Sequence, residues 1–255
     1  MSLAKLQDLK GRVALVTGGS RGLGLQMAEV LGELGAKVAI TARKREELDA
    51  AAAHLTSLGI TAFPVVCDMG KLTTIAPMVE EVIGALGPID ILVNNAGTSW
   101  GSPTIEHSLE GWNKVIDLNL TAIFIVTQEV GRRCMVPRRS GKVINIASIQ
   151  GLTGTYPEGM PTLAYNASKG AVVNMTRTLA NEWASLGINV NAIAPGYFPT
   201  KMTAQLNQEV TSEMAPMKRG GGTEDLKGIT ALFASDAGAF ITGQTLAVDG
   251  GLTAV

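Results

Sequence analysis

Short, almost continuous apolar runs alternate along the chain with longer segments in which apolar residues recur every three or four positions. The short runs are typical of strands buried on both faces of a parallel sheet, and the longer segments are typical of amphipathic helices. The predicted strands are Val13–Val16, Val38–Ile40, Ala62–Val66, Ile89–Val93, Val143–Ala147, Val190–Ala194 and Leu246–Val248. The predicted helices are Leu23–Leu34, Lys44–Ser57, Leu72–Ala85, Leu120–Val136, Ala164–Leu186 and Thr223–Ala234.

This alternation predicts an α/β fold, a doubly wound, Rossmann-type parallel sheet of about seven strands with helices on both faces. No linker, repeat or low-complexity segment divides the 255 residues, so we expect one domain over residues 1–255. The polar stretch 199–222 does not fit this alternation of apolar runs and amphipathic segments, and it is bounded by Pro199 and by Gly220–Gly222. Such a segment is typical of a mobile loop, and we expect a substrate lid there.

Composition and charge narrow the possible partners. The formal net charge of −1 gives no argument for binding nucleic acid or an anionic membrane surface. The sequence has no apolar run long enough for a transmembrane helix and no signal-peptide core at its N-terminus. Cys67 and Cys134 form neither a zinc pattern nor a disulfide framework, so we expect no metal and a cytoplasmic location.

A glycine-rich turn, Thr17–Gly24, follows the first predicted strand and precedes a helix. Its glycines permit a tight turn and a close approach of a phosphate to the backbone. The helix N-terminus adds free N–H groups and the positive end of the helix dipole. A simple strand-to-helix turn is the alternative, but the strand–turn–helix context favours a dinucleotide site. No Gly-Lys-Ser/Thr follows the turn, which excludes a P-loop.

The same turn also contains Gly18-x-Ser20-x-Gly22, the pattern of a nucleophile elbow in an α/β-hydrolase. That fold requires sheet strands before the elbow and a catalytic histidine after it, near the end of the chain. His54 and His107 are the only histidines, and neither lies late in the chain. We therefore reject the hydrolase.

Polar or loop-forming residues follow six of the seven predicted strands. They are the glycine-rich turn, Arg43, Asp68, Asn94–Gly97, Ser148 and Pro195–Gly196. Because ligands of open α/β sheets bind outside the carboxyl ends of the strands, this series indicates a long ligand such as a dinucleotide.

Tyr165 and Lys169 are four residues apart and share one face of a predicted helix. An ammonium group nearby favours the phenolate, so the lysine could bring the tyrosine pKa down from about 10 towards neutrality. A tyrosine with such a pKa can act as a general acid or base. Taken alone, the spacing is more often explained by a packed tyrosine ring and a solvated lysine, and it gains weight only beside the other motifs.

Over essentially its whole length, the chain resembles the short-chain dehydrogenase/reductase family. The matching residues are Thr17–Gly24, Asp68, Asn94–Gly97, Asn119, Ser148, Tyr165, Lys169, Pro195, Gly196, Thr200 and Asp249–Gly251. The stretch Tyr165–Met202 is similar to gluconate 5-dehydrogenase-like and 3-oxoacyl reductase-like members. The segment from Ser148 to Tyr165 is longer than the family often has, with sixteen intervening residues that include Tyr156, Pro157, Gly159, Met160 and Pro161. We expect this extra length at the substrate mouth.

The resemblance implies hydride transfer between a nicotinamide and a ketone or secondary alcohol, such as a sugar acid or a 3-oxoacyl compound. Tyr165 would donate or accept the proton, and Lys169 would lower its pKa and hold the nicotinamide ribose. Ser148 would hydrogen-bond the substrate oxygen, and Asn119 would hold a water at a helix irregularity. The implied cofactor residues are Gly18, Ser20, Arg21, Gly22, Leu23, Gly24, Arg43, Asp68, Met69, Asn95, Ala96, Gly97, Tyr165, Lys169, Pro195, Gly196 and Thr200.

The resemblance further implies a homotetramer with the long helices at one interface. One alternative remains: a catalytically silent dinucleotide-binding sensor or scaffold of the same fold. The presence of all four predicted catalytic residues, Asn119, Ser148, Tyr165 and Lys169, argues against it.

The end of the second predicted strand indicates which cofactor is used. An NAD-specific site usually has an acidic residue there, which binds the ribose 2′-hydroxyl. Here the strand ends in Ala42, Arg43 and Lys44 follow, and no carboxylate comes before Glu46. Arg21 in the glycine-rich turn could approach the same pocket. Since a guanidinium binds a 2′-phosphate well, we predict NADP(H) in preference to NAD(H).

Overall fold

Seven parallel strands form one sheet in the computed structural model, which describes residues 1–155, 160–204 and 208–254. The strands are β1 Val13–Thr17, β2 Lys37–Ala42, β3 Ala62–Val66, β4 Ile91–Asn94, β5 Gly141–Ile146, β6 Ile188–Pro195 and β7 Thr245–Val248. Their order across the sheet is β3-β2-β1-β4-β5-β6-β7. The predicted doubly wound parallel sheet is therefore confirmed. The order reverses between β1 and β4, the place where such folds bind ligands.

The helices lie largely where the periodicity predicts them. Their bounds are α1 Leu3–Leu6, α2 Gly22–Glu33, α3 Arg45–Ser57, α4 Ile75–Leu86, α5 Leu109–Ile116, α6 Ala122–Val130, α7 Val136–Arg138, α8 Leu163–Trp183, α9 Gln208–Met214 and α10 Lys227–Ala234. No helix in these described parts of the chain combines the length and apolarity needed to cross a bilayer.

Two predicted helix starts are wrong, each for a local reason. The predicted start at Leu120 lies inside a continuous helical segment, in which α5, a π-helical turn at Asp117–Thr121 and α6 follow one another. This segment begins at Leu109, where the Ser108 hydroxyl caps it by accepting a hydrogen bond from the Gly111 N–H at 3.0 Å. The helix predicted from Thr223 begins at Lys227, because the preceding residues form a turn closed by Asp225. Both starts depend on capping and turn bonds rather than on apolar spacing.

Apolar side chains pack against both faces of the sheet. In β1, Ala14 and Val16 join the layer under α2, α3 and α10, while Val13 and Leu15 join the layer under α4, α6 and α8. Each large side chain buried in this way contributes about 1.5–3 kcal/mol to stability. The continuous apolar run of β1 is explained by this two-sided burial.

A buried chain of polar side chains ties the central strands to two helices. Asn94 on β4 donates to Asn145 on β5 at 2.8 Å and to Thr127 on α6 at 3.0 Å. Asn145 donates in turn to Thr176 on α8 at 2.9 Å. Buried amides are costly unless they are paired, so these bonds fix how α6 and α8 sit on the sheet. Both helices adjoin the site described below.

The predicted lid, residues 199–222, is described only in part. It contains α9, and residues 205–207 lie outside the described residues. Tyr156, Pro157 and Gly159 of the long segment after Ser148 also lie outside them. The closing of a lid and the single-domain boundary at residues 1–255 both stay predictions.

Candidate active site

A cleft of about 750 Å³ opens at the carboxyl ends of the strands, where the strand order reverses. All the predicted cofactor residues line it, and so do three of the four predicted catalytic residues: Ser148, Tyr165 and Lys169. Asn119 lies behind its wall and is fully buried. A second cavity of about 480 Å³ lies at the opposite edge of the sheet, beside Asp90 and Lys142, and contains none of the predicted residues.

The glycine-rich turn forms one wall of the cleft. Gly18 and Gly22 adopt φ values of +66° and +54°, which strain any residue with a side chain. A Cβ on Gly24 would lie 2.3 Å from the Gly18 carbonyl oxygen, so only glycine permits this packing. Arg21, the N-cap of α2, makes no side-chain capping bond. The N–H groups of the first turn of α2 are therefore left for a ligand in the cleft.

The end of β4 is fastened to this turn. The Thr17 hydroxyl accepts hydrogen bonds from the backbone N–H groups of Asn95 and Ala96, at 3.0 and 3.1 Å. The Asn95 amide donates to the carbonyls of Thr17 and Gly18, at 2.9 and 3.1 Å. Asn95 thus lines the cleft and also holds the turn in place. The bracing role of Thr17 was not recognised from the sequence, because it depends on the pairing of β1 with β4.

Ser148 follows β5 and is brought against α8. Its side chain is buried, and its Oγ accepts a hydrogen bond from the Gln150 N–H at 3.2 Å. A Cβ on Gly151 would lie 2.6 Å from the carbonyl carbon of Lys169, so this glycine allows the loop to pack directly on the helix. The close approach places the Ser148 hydroxyl beside Tyr165, with which it shares a hydrogen bond.

Lys169 is only 3% exposed, and its Nζ donates to the Ile146 carbonyl oxygen at 2.6 Å. Burial lowers the pKa of Lys169 to about 8. The ammonium lies 5.6 Å from the centroid of the Tyr165 ring. The predicted helical face therefore does bring the two side chains together.

The pKa of Tyr165 departs from the expected direction. Burial raises it above the ordinary value, and the hydrogen bond with Ser148 lowers it by less. Lys169 is itself buried and directed towards the Ile146 carbonyl, so its ammonium does not overcome the desolvation of the phenol. The expectation that Lys169 lowers the Tyr165 pKa is therefore not met in this structure.

Asn119 lies in a π-helical turn, Asp117–Thr121, between α5 and α6. Its Oδ1 accepts from the Thr98 N–H at 2.8 Å, and its Nδ2 donates to the Thr98 carbonyl at 2.9 Å and to Ser168 Oγ at 3.1 Å. The side chain thus joins the loop after β4 to α8 beside Lys169. The predicted water at Asn119 stays a prediction.

The basic pocket at the end of β2 contains a carboxylate that the sequence argument overlooked. Arg21, Arg43 and Lys44 line the cleft as expected, but Glu47 lines it too. Arg21 Nη1 donates to both carboxylate oxygens of Glu47, at 2.9 and 2.8 Å. The predicted pocket was inferred from the end of β2 alone, which has no carboxylate, and Glu47 was not placed in it. The first turn of α3 directs Glu47 towards the glycine-rich turn. The spacing of three residues between Lys44 and Glu47, which can place both on one helix face, was the signal available in the sequence.

The described end of the long segment after Ser148 lies beside the loop after β4. Met160, at the described end of the long segment, packs where a Cβ of Gly101 would be, and the Pro161 carbonyl accepts from the Ser102 N–H at 2.9 Å. The extra length therefore adjoins this loop. Thr203 was also not predicted from the sequence. Its hydroxyl accepts a hydrogen bond from the Thr200 N–H at 2.9 Å and so holds the turn that carries Thr200.

The family model described as short chain dehydrogenase matches residues 12–211 of the chain. This chain belongs to the short-chain dehydrogenase family. The family predicted from the sequence motifs is confirmed, and the fold and cleft described above are those of this dehydrogenase.

Relatives cover almost the full length of this short-chain dehydrogenase. Gluconate 5-dehydrogenase of Gluconobacter oxydans (strain 621H) is 39% identical over 99% of each chain. A 3-oxoacyl-(acyl-carrier-protein) reductase of Synechocystis sp. is 38% identical over 96% of this chain and 98% of its own. The solved gluconate 5-dehydrogenase of Burkholderia cenocepacia J2315, in complex with NADP and tartrate, is 35% identical over the whole of both chains, with a TM-score of 0.92.

Proposed function

We propose that this short-chain dehydrogenase uses NADP(H) to transfer a hydride to or from a ketone or secondary alcohol. One observation carries the proposal: Ser148, Tyr165 and Lys169 converge in the same cleft as the glycine-rich turn. Relatives named for gluconate and for 3-oxoacyl substrates support a sugar acid or a 3-oxoacyl compound as the substrate class.

The residues present fit a dinucleotide phosphate. The first turn of α2 offers N–H groups without a side-chain cap, and the glycines beside it leave room for a pyrophosphate. Arg43, at the adenosine end, is exposed and makes no ion pair with any described residue, so its guanidinium is available to a 2′-phosphate. The NADP bound by the Burkholderia cenocepacia relative supports the same choice.

The nicotinamide, when bound, supplies or accepts the hydride. In reduction, the carbonyl carbon forms the new C–H bond, and the C=O π pair moves to the oxygen. The Tyr165 hydroxyl then gives its proton to that oxygen, and Ser148 stabilises the developing negative charge by donating a hydrogen bond. Lys169, whose ammonium lies 5.6 Å from the centroid of the Tyr165 ring, helps to position the phenol. Oxidation runs through the same groups in reverse.

The proposal is tested by following NADPH absorbance with keto sugar acids, 3-oxoacyl thioesters and simple ketones. We expect NADPH consumption with at least one of these classes and formation of the corresponding alcohol. A silent sensor or scaffold would bind NADPH, as seen by fluorescence, yet consume none with any member of the panel.

The cofactor preference is a separate prediction. We expect kcat/KM to be roughly tenfold to a hundredfold higher with NADPH than with NADH, because each charge-assisted bond to the 2′-phosphate contributes about 1.5–3 kcal/mol. The double variant Ala42→Asp, Arg43→Ser is expected to reverse the preference. Steady-state kinetics with both cofactors measure it, and equal efficiency of the unmodified enzyme with NADH would refute it.

We further propose that the protein is a homotetramer. Phe124 on α6 is half-exposed, and Ala167 and Ala184 on the α8 segment are exposed, which leaves small and apolar positions for helix packing. Ala180 instead packs into the core of its own chain. Light scattering is expected to give a mass four times that of one chain, and Phe124→Ser is expected to lower it. A monomeric mass for the unmodified protein at micromolar concentration would contradict this.

A cytoplasmic location is part of the same proposal. Cys67 and Cys134 are free and buried, and burial raises the pKa of both thiols, as expected of unreactive core cysteines.

A further inference from the structure

The adenosine end of the cleft holds the cations expected to bind a 2′-phosphate and, paired with one of them, the carboxylate of Glu47. We propose that Glu47 is a specificity-determining residue that competes with the 2′-phosphate of NADP(H) for Arg21. Glu47 thereby weakens the binding of NADP(H) more than that of NAD(H). This inference rests on the proposed use of NADP(H).

The contact between the two side chains is specific. Arg21 Nη1 donates to both Glu47 oxygens, at 2.9 and 2.8 Å, although the residues are 26 positions apart in the sequence. Lys44 Nζ lies 3.5 Å from Glu47 Oε1. Glu47 therefore engages Arg21 and Lys44, and Arg43 has no ion pair among the described residues.

The geometry determines what a phosphate would encounter. A guanidinium binds a phosphate best through two parallel N–H donors. One nitrogen of Arg21, Nη1, is already given to Glu47, so bidentate binding through Nη1 requires the carboxylate to withdraw. The Arg21 and Glu47 side chains are 50% and 30% exposed, and such exposed pairs contribute little stability, so the pair can open.

The charge of Glu47 remains even after the pair opens. The carboxylate is attached to the first turn of α3, next to the basic residues after β2, and cannot leave the pocket entirely. It repels a phosphate that carries nearly two negative charges. The neutral 2′-hydroxyl of NAD(H) meets no such repulsion and can donate a hydrogen bond to the carboxylate. The same residue thus disfavours one cofactor and tolerates the other.

Glu47→Gln tests this proposal, because glutamine keeps the size of the side chain and removes only its charge. The probes are 2′,5′-ADP, which carries the 2′-phosphate without the nicotinamide, and 5′-AMP, which lacks that phosphate. We expect calorimetry to show that E47Q binds 2′,5′-ADP about threefold to tenfold more tightly at low salt. The dissociation constant of 5′-AMP should change less than about twofold, because it lacks the repelled group.

Glu46→Gln is the matched control. Glu46 belongs to the same helical turn, is exposed, does not line the cleft and makes no ion pair with any described residue. E46Q removes the same charge from the same helix end, so it reports the unspecific effect of net charge. Its 2′,5′-ADP affinity should rise less than about twofold. In an Arg21→Gln background, E47Q should lose the part of its effect that comes from competition for Arg21 and keep the part that comes from direct repulsion.

Weaker or unchanged binding of 2′,5′-ADP by E47Q, relative to E46Q, would overturn the proposal. That result would make Glu47 a residue that positions Arg21 for the phosphate. The measurement uses fragments that undergo no hydride transfer. Its outcome is therefore independent of the ketone panel, which tests the proposed reaction.

Discussion

Replacing Tyr165 by Phe is expected to lower kcat at least about 100-fold, because general acid–base catalysis typically contributes 10²–10⁴-fold. The aromatic ring stays in the cleft wall, and only the hydroxyl that bonds Ser148 is lost. The dissociation constant of NADPH should therefore change little. Steady-state kinetics and NADPH fluorescence titration measure the two quantities separately.

Tyr197→Phe is the control for this result. Tyr197 lies in the loop after β6, at the same edge of the sheet, but does not line the cofactor cleft. Its variant should therefore keep most of the activity. If Tyr165→Phe retained more than a few per cent of the unmodified kcat, Tyr165 would not be the proton donor.

Replacing Lys169 by Met is expected to abolish most turnover, weaken NADPH binding and yet stabilise the fold at pH 7. The folded protein holds the Lys169 ammonium at 3% exposure, with its pKa lowered from 10.5 to about 8. A lowered lysine pKa means that the charged form is less favourable in the folded state, by about 3 kcal/mol for this shift. Methionine removes that penalty and also the bond from the ammonium to the Ile146 carbonyl, which is worth about 1.5–3 kcal/mol, so a net gain of up to about 1.5 kcal/mol is expected.

The pH dependence shows whether the penalty is the cause. Below pH 8 both the folded and the unfolded state carry the proton, and the penalty is fully present. Between pH 8 and 10.5 the folded state releases the proton first, so the advantage of the Met variant should shrink as pH rises. Urea unfolding at pH 7 and pH 10 measures this difference. A Met variant that is less stable at pH 7 would show that Lys169 supports the fold instead.

Lys142→Met separates activity from stability. Burial also lowers the pKa of Lys142, but this residue lies at the opposite edge of the sheet, where its Nζ donates to Asn189 Oδ1 at 2.7 Å. Its variant should keep both kcat and NADPH affinity. Loss of activity in Lys169→Met alone would then be assigned to the cleft and not to the loss of a buried ammonium in general.

Much of the fold was predictable because strands buried on both faces appear in the sequence as continuous apolar runs. The run Val13–Val16 is apolar throughout since its alternate residues enter opposite core layers. The cleft residues were predictable for a related reason: they follow strand ends, and parallel strands end at one edge. The helical spacing placed Tyr165 and Lys169 on one face, but their roles came only from the other motifs and the family resemblance.

What could not be predicted depends on contacts between distant segments. Glu47 reads as a surface residue of α3, and its place beside Arg21 follows only from how the helix returns over the sheet. The direction of the Tyr165 pKa depends on burial, which no local pattern reports. The approach of Ser148 to α8 depends on the absence of a side chain at Gly151, which reads in the sequence as an ordinary turn glycine.

The pairing of β1 with β4 also has a consequence for how the protein folds. The bond between Thr17 and Asn95 joins residues 78 positions apart, and Asn119 reaches Ser168 across 49 positions. Contacts of such separation form slowly, because the chain must close long loops before any contact stabilises them. The two halves of the cleft therefore meet only after the central strands have paired. Recovery of cofactor binding on refolding should consequently lag behind the recovery of helix content.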